Sequence, residues 1–470
     1  MITTIAKREI KNLFREKTFW IVSAVLLLLL IIALFTSSVN VSQINNERTE
    51  AQRLSRESWL TQTPKNPHSA AHFGNFAFRI KTQLSLFDNG LDTYTGSQVF
   101  LEPHKQDDFK FSPAEDADSL IRFGELTPAF ILQTILPLLI IFLCFASVSR
   151  EKENETIKLL LSNDATMQQV VTGKILGDWL AVILLVVPLC LLSVLFMPHA
   201  GINESDIVTR FTLLLLSYII YAGIITTICV IVSAYSKTSK ASLMKLLSLW
   251  MLACIIVPKV CSNAGSTLYA TPSQFEYANL VKHDEEDGLD GHDPLDKRRE
   301  VLLQATLKKY KVDTITKLPV NFDAIAMVES EKYTTDVYRK RIGEMRHIFQ
   351  KQNSISLYSS FINPFQAIQN TSMALCGTDY AHYIHFQDAA ETYRLYFVNT
   401  MNEFMATHTK SGDWKTKFGQ DTYKNVTPFI YTPPSVGWSI QQAAKVLFSM
   451  LCWIVICFFL IKSTNKINIA

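Results

Sequence analysis

Ten histidines are the side chains best suited to hold a metal, and two pairs of them fall at helical spacing. His68 and His72 stand at i,i+4, and His382 and His385 at i,i+3. Either pair could face one way on a helix and bind zinc or copper. A zinc protease of the common kind needs a glutamate directly after the first histidine, and His68-Ser-Ala-Ala-His72 has serine there. All ten histidines lie in polar stretches or at the edges of apolar ones. Structural or surface roles are therefore the first reading, and metal binding is the second. Nucleotide chemistry has no home in the chain. Gly173-Lys174 is followed by Ile175, with no glycine five residues before Gly173, so the phosphate-cradling Gly-x-x-x-x-Gly-Lys-Ser/Thr loop is absent. The aromatic run of Phe361, Phe365, Tyr380, Tyr383, Phe386, Tyr393, Tyr396 and Phe397 reads as core rather than as substrate contacts.

The elements that position these residues are dominated by apolar blocks. Hydrophobic residues make up 48% of the 470, beside 19% charged. A formal net charge of +3, with no basic–aromatic groove, argues against nucleic acid. The blocks at 19–39, 128–148, 175–197, 211–234, 241–262 and 443–461 are each long enough to cross a bilayer core of roughly 30 Å. Asp178, Lys245, Lys259 and Lys445 lie near span ends, so these spans are expected to bury no ionisable side chain. Pro137 and Pro188 read as packing kinks. Residues 1–18 form a basic amphipathic stretch suited to lying at a membrane surface. Lys and Arg gather in the N-terminus, 149–174, 237–245 and the C-terminus, which predicts both termini in the cytoplasm. The inserts 40–127 and 263–442 then face outward, and they are expected to pack together. Six of the eight cysteines fall in spans, Cys261 at a span end and Cys376 in the larger insert, so no disulfide framework is expected, with a Cys261–Cys376 bridge left open.

The linker at 149–174 has no core of its own and needs a partner. Its pattern is Arg150-Glu151-Lys152-Glu153, then Thr156-Ile157, Leu159-Leu160-Leu161, Ser162-Asn163-Asp164 and Gly173-Lys174. This resembles the cytoplasmic coupling region of type-2 ABC transporter permeases, departing from it at Asn154-Glu155, where that family often has glycine. The stretch Asn66-Pro67-His68-Ser69-Ala70-Ala71-His72-Phe73-Gly74, with Leu101-Glu102-Pro103-His104, Arg122-Phe123-Gly124-Glu125-Leu126, Asn363-Pro364-Phe365 and Gly377-Thr378-Asp379, is similar to a bacterial subfamily with large extracytoplasmic inserts.

The resemblance implies an all-α membrane protein of six transmembrane helices. An N-terminal interfacial helix and two extracytoplasmic inserts, the larger mainly helical, complete it. It implies a permease subunit in the bacterial inner membrane, exporting or extracting a substrate. ATP and Mg would be held by a separate ABC ATPase subunit, two copies per complex, with no cofactor in this chain. A second permease chain, identical or paralogous, surrounding lipid and a periplasmic protein would be the other partners. Glu151, Glu153, Thr156, Lys158 and Leu161 are the expected ATPase-coupling residues. Two other readings stay open: ATP-driven mechanotransmission to a periplasmic partner, and a membrane-anchored metal-binding or sensor protein.

Overall fold

The computed structural model describes residues 1–106, 126–162, 164–197, 204–289 and 295–467. His199, His292, Asn163 and the Arg122-Phe123-Gly124-Glu125 part of the motif above lie outside the described residues. The described chain is almost entirely helical. Its elements begin with α1 (Ile2–Arg15), α2 (Lys17–Thr61), α3 (Pro67–Ala71), α4 (Pro128–Glu153), α5 (Thr156–Leu161), α6 (Met167–Phe196), α7 (Ser205–Tyr235) and α8 (Ser239–Leu268). The large insert supplies α9 (Gln274–Asp287), α10 (Leu295–Tyr310), α11 (Phe322–Ser359), α12 (Pro364–Cys376), α13 (Tyr380–His408) and α14 (Val436–Gln442), and α15 (Ala444–Lys466) closes the chain. Six of these, α2, α4, α6, α7, α8 and α15, are long and apolar enough to cross a membrane. The exception to the helices is an antiparallel sheet, β1 (Asn75–Phe78), β2 (Gln98–Glu102) and β3 (Lys105–Gln106), with Asn75 opposite Leu101 and Glu102 opposite Lys105.

Spans α4 and α7 form the centre, with 56% of each apolar stretch buried, against 11% for α8. Leu136, Ile140, Tyr218, Tyr221 and Val230 from these two helices anchor the largest core. The outer faces of α2, α8 and α15 remain apolar and exposed, at Leu28, Met244 and Phe458 among others, as surfaces meeting lipid or a second membrane chain would be.

The first span does not stop at the end of its apolar run. Residues 17–61 contain neither glycine nor proline, and their polar half is rich in helix formers, so nothing breaks the helix before Pro64. Its far end plants Trp59 in the core of the extramembrane head, where the indole N–H donates to Tyr423 O at 2.9 Å. Trp59, Ala77 and Leu101 from the first insert share that core with Phe386, Phe397, Met401 and Tyr423 from the second. Among the described residues, the inserts make one head.

The head is also keyed into the membrane part. Nearly every residue of α12 is buried, and Ala367, Ile368 and Leu375 join the span core. The aromatic run splits accordingly: Phe365, Phe386, Tyr393 and Phe397 are buried, whereas Tyr396 is 40% exposed. All eight cysteines are free, including Cys261 and Cys376.

Candidate functional site

Two regions at opposite ends of the span bundle carry the polar chemistry. On the face away from the head, α1 lies across α6 in unusually close contact. A Cβ on Gly173 would sit 2.7 Å from Ile5 Cβ, and one on Gly177 would sit 2.8 Å from Ala6 O. This small-x-x-x-small spacing lets two helix backbones meet. Lys174, between the glycines, is 3% exposed and bridges Glu9 at 3.1 Å and Glu151 at 2.9 Å. Asp178, one turn on, is buried and accepts from Ser147 Oγ at 3.1 Å. The expectation that Asp178 reaches an interface is therefore corrected: α1 covers it.

The linker turns back between α4 and α5 at Glu155, whose φ is +59°. That is the left-handed region glycine occupies without cost, so the turn keeps the geometry of the family's glycine although Glu155 stands there. The turn is pinned from inside. Ser233 Oγ accepts from the N–H groups of Val148 and Ser149 at 3.1 and 3.0 Å. Glu153 accepts from Ser239 N–H and Oγ at 3.0 and 2.6 Å, holding the start of α8. Lys152 Nζ donates to Ala234 O. The exposed ridge is left to Glu155, Thr156, Lys158 and Leu159, the last 67% exposed, with Ile157 as the buried anchor.

At the other end, a cleft of about 1720 Å³ opens where α4 and α8 meet the head. Its lining runs from apolar Phe130, Leu138 and Ile255 to polar Gln369, Asn370, Tyr380 and Lys445. A smaller, apolar pocket of about 300 Å³ shares Trp250, Cys254 and Phe365 with it. Both spans leave α-geometry here. Ile131–Ile135 in α4 and Leu252–Ile256 in α8 are π turns, each followed within two residues by a proline, Pro137 and Pro258. Proline removes a donor from the helix ladder, and wide turns free further carbonyls. Inside a membrane those carbonyls need partners, and each finds one on another element. Tyr221 Oη donates to Gln133 O at 2.9 Å, Trp250 Nε1 to Thr134 O at 2.9 Å, and Asn363 Nδ2 to Ala253 O at 2.8 Å.

A polar knot ties the cleft wall to the head. Asp88, buried, accepts from Ser372 Oγ at 2.5 Å, Gly90 N–H at 3.0 Å and Gln133 Nε2 at 3.3 Å. Tyr218 Oη donates to Ser372 Oγ at 3.0 Å. Burial raises the Asp88 carboxyl above its ordinary value against the pull of those donors. Nearby, Arg210 at the top of α7 pairs with Asp206 at 2.7 Å and donates to Leu375 O and Pro434 O of the head.

Residues 102–258, covering the central spans and the linker between them, match the family model described as ABC-2 family transporter protein. Over these residues the chain carries the membrane domain of the type-2 ABC permeases. Residues 275–432 of the permease match a second model, a domain of unknown function designated DUF3526, which corresponds to most of the large insert. No curated protein matched the chain.

The sequence-predicted residues of the permease sort differently once folded. Glu151 turns inward to Lys174, Glu153 stays exposed but is engaged by Ser239, Thr156 and Lys158 stand on the outer ridge, and Leu161 is half-buried. Trp179 and Trp250 brace spans, Trp179 Nε1 donating to Ile219 O at 3.0 Å. His382 has both ring nitrogens engaged, one by Asp379 and the other by Ser439 Oγ at 2.9 Å, while His385 Nδ1 meets Tyr431 Oη at 3.1 Å. These two are fold residues rather than a ligand pair. His68 and His72 do come together, and they are joined by His104, which sequence spacing alone did not select. Burial pushes His68 down to about 4 and lowers His72 as well. The Gly173-x-x-x-Gly177 spacing was a readable signal for the α1 contact, and Asn363 stood in a quoted motif, but nothing in the sequence marked Gln133 or Tyr221.

Proposed function

We propose that the permease, with a second permease chain and two copies of a separate ATPase subunit, exports or extracts an amphipathic substrate through the cleft at the head–span junction. The observation that carries this reading is the cleft's gradient, from an apolar pocket among the spans to polar side chains of the head. The weakly covered α8 beside it supports a second permease chain, or lipid, as its neighbour. The Lys/Arg pattern supports placing α1 and the α4–α5 turn in the cytoplasm and the head outside the inner membrane. In this reading the partner binds ATP and Mg, and its closure presses on the ridge of Glu155, Thr156, Lys158 and Leu159. The push reaches α6 through Lys174 and α1, and reaches the cleft through α4.

The test is a mild-detergent pull-down of the tagged full chain, with ATPase activity assayed on the eluate. A co-purifying nucleotide-binding subunit, lost in Lys158→Glu with Leu159→Asp while the permease stays folded, supports the reading. A clean permease with no ATPase sinks it.

A second reading, mechanotransmission to a periplasmic partner, draws support from α2, which runs unbroken into the head core. Gln369→Trp, which narrows the cleft, separates the two. Transport through the cleft stops in that variant, whereas force transmitted along α2 continues.

A further inference from the structure

We propose that His68, His72 and His104 form a divalent transition-metal site in the head, with zinc as the best-fitting ion and one coordination position left open. This goes beyond the permease reading and does not depend on it.

The three imidazoles point at one spot. His68 Nε2 lies 3.1 Å from His72 Nε2 and 3.4 Å from His104 Nε2, and the three ligand atoms all fall within 4.8 Å of one another. Zinc binds imidazole nitrogen at 2.0–2.1 Å, so the edge of a tetrahedral zinc site is about 3.3 Å. The two measured separations bracket that edge.

The outward nitrogens fix what the inward ones can do. His68 Nδ1 faces Asn402 Oδ1 at 2.9 Å, and His104 Nδ1 faces Glu331 Oε2 at 3.2 Å. Both oxygens accept, so each Nδ1 carries the proton and each Nε2 presents a lone pair. Two lone pairs facing each other across 3.4 Å repel. A single proton relieves one pair, whereas a cation at the centre satisfies all three rings. Metal-bound histidines ordinarily donate their second nitrogen to a carboxylate or carbonyl oxygen, as these two do. Glu331 is fully buried and also pairs with Arg394, so it is held in place before any ion arrives.

The backbone is shaped to the same end. His104 sits in the turn between β2 and β3 with φ at +66°, an uncommon conformation for a side-chain-bearing residue, and its N–H donates to Glu331 Oε2 at 2.8 Å. That turn carries the His104 ring to α3. All three ligands come from the first insert, and their supports, Asn402 and Glu331, come from the second. A bound ion would clamp the two inserts at this seam. His72 remains exposed, which gives the ion a route in and out.

The test uses the full permease in detergent, stripped with a chelator and titrated with Zn²⁺ against a chromophoric competitor. One ion per chain is expected. His104→Gln and His72→Gln are expected to lose binding by at least a hundredfold while keeping the wild-type melting temperature of the apo chain. Asn402→Ala is expected to bind one ion about ten- to a hundredfold more weakly. Substoichiometric binding by wild type, or undiminished binding in His104→Gln with His72→Gln, overturns the proposal. Loss of binding accompanied by a collapsed apo melt in the single variants sends the test to His72→Asn, an exposed position. Full retention there overturns the site, and loss supports it.

Discussion

The two polar ends of the span bundle are built on opposite plans. The α1–α6 face is held by close backbone packing and one compact ion cluster: two glycines a turn apart, one lysine between them, and two carboxylates. The cleft end is held by side chains from distant elements that cap carbonyls freed by π turns, such as Tyr221 on Gln133 O and Asn363 on Ala253 O. The first plan gives a stiff contact that moves as a unit. The second leaves two spans with irregular backbones whose hydrogen bonds can be exchanged one at a time. A permease driven from one end and yielding at the other, as proposed above, would need that division.

The sharpest way to break the contrast is Lys174→Met. It strands Glu9 and Glu151 under α1, and a broken buried ion pair costs about 3 kcal/mol; the partial exposure of both carboxylates brings that toward about 2. Thermal unfolding in detergent reads it. Restoration by adding Glu9→Gln and Glu151→Gln would show that charge, not length, was the fault. Gly177→Val should follow, at about 2 kcal/mol of overpacking, with α1 lifted enough for protease to clip it. At the cleft end single changes should be milder. Tyr221→Phe leaves Gln133 O without its hydroxyl partner and is expected to cost about 1 kcal/mol in the same melt.

Asp88 sharpens the comparison through pH. Its carboxyl is raised by burial, so the folded state favours the protonated form. That contribution is complete below the ordinary carboxylate value and is lost as pH rises through the raised one. Asp92, Tyr218 and Cys376 are the ionisable neighbours that bear on it. Wild-type melting temperature should fall over that interval, and the fall should flatten in Asp88→Asn. An unchanged slope would remove Asp88 from the account. The smallest effect on stability, under about 0.5 kcal/mol, is expected for Lys158→Glu on the exposed ridge, although it should weaken retention of the ATPase subunit.

These regions also differ in how far the sequence announced them. Helical spans are legible because about 20 apolar residues have few other uses, and the charged linker because short charged and glycine patterns are local. The continuation of α2 to Thr61 was hidden, since polar helix formers look alike in a loop and in a helix until something such as Trp59 finds a core. His104 was passed over because its partners stand 36 and 32 residues away and only the hairpin turn brings them close. The inward turn of Glu151 was equally invisible, because its partner Lys174 belongs to α6, which sequence spacing cannot dock against the linker.

The unbroken α2 has one more consequence. At 1.5 Å per residue, 45 residues make a rod about 68 Å long, more than twice the thickness of a bilayer core. Such a rod is a lever with its fulcrum in the membrane. A tilt of about 5° about its N-terminal end carries Trp59 through about 6 Å, roughly the rise of one helical turn, so a small rocking among the spans becomes a displacement large enough to re-register the head.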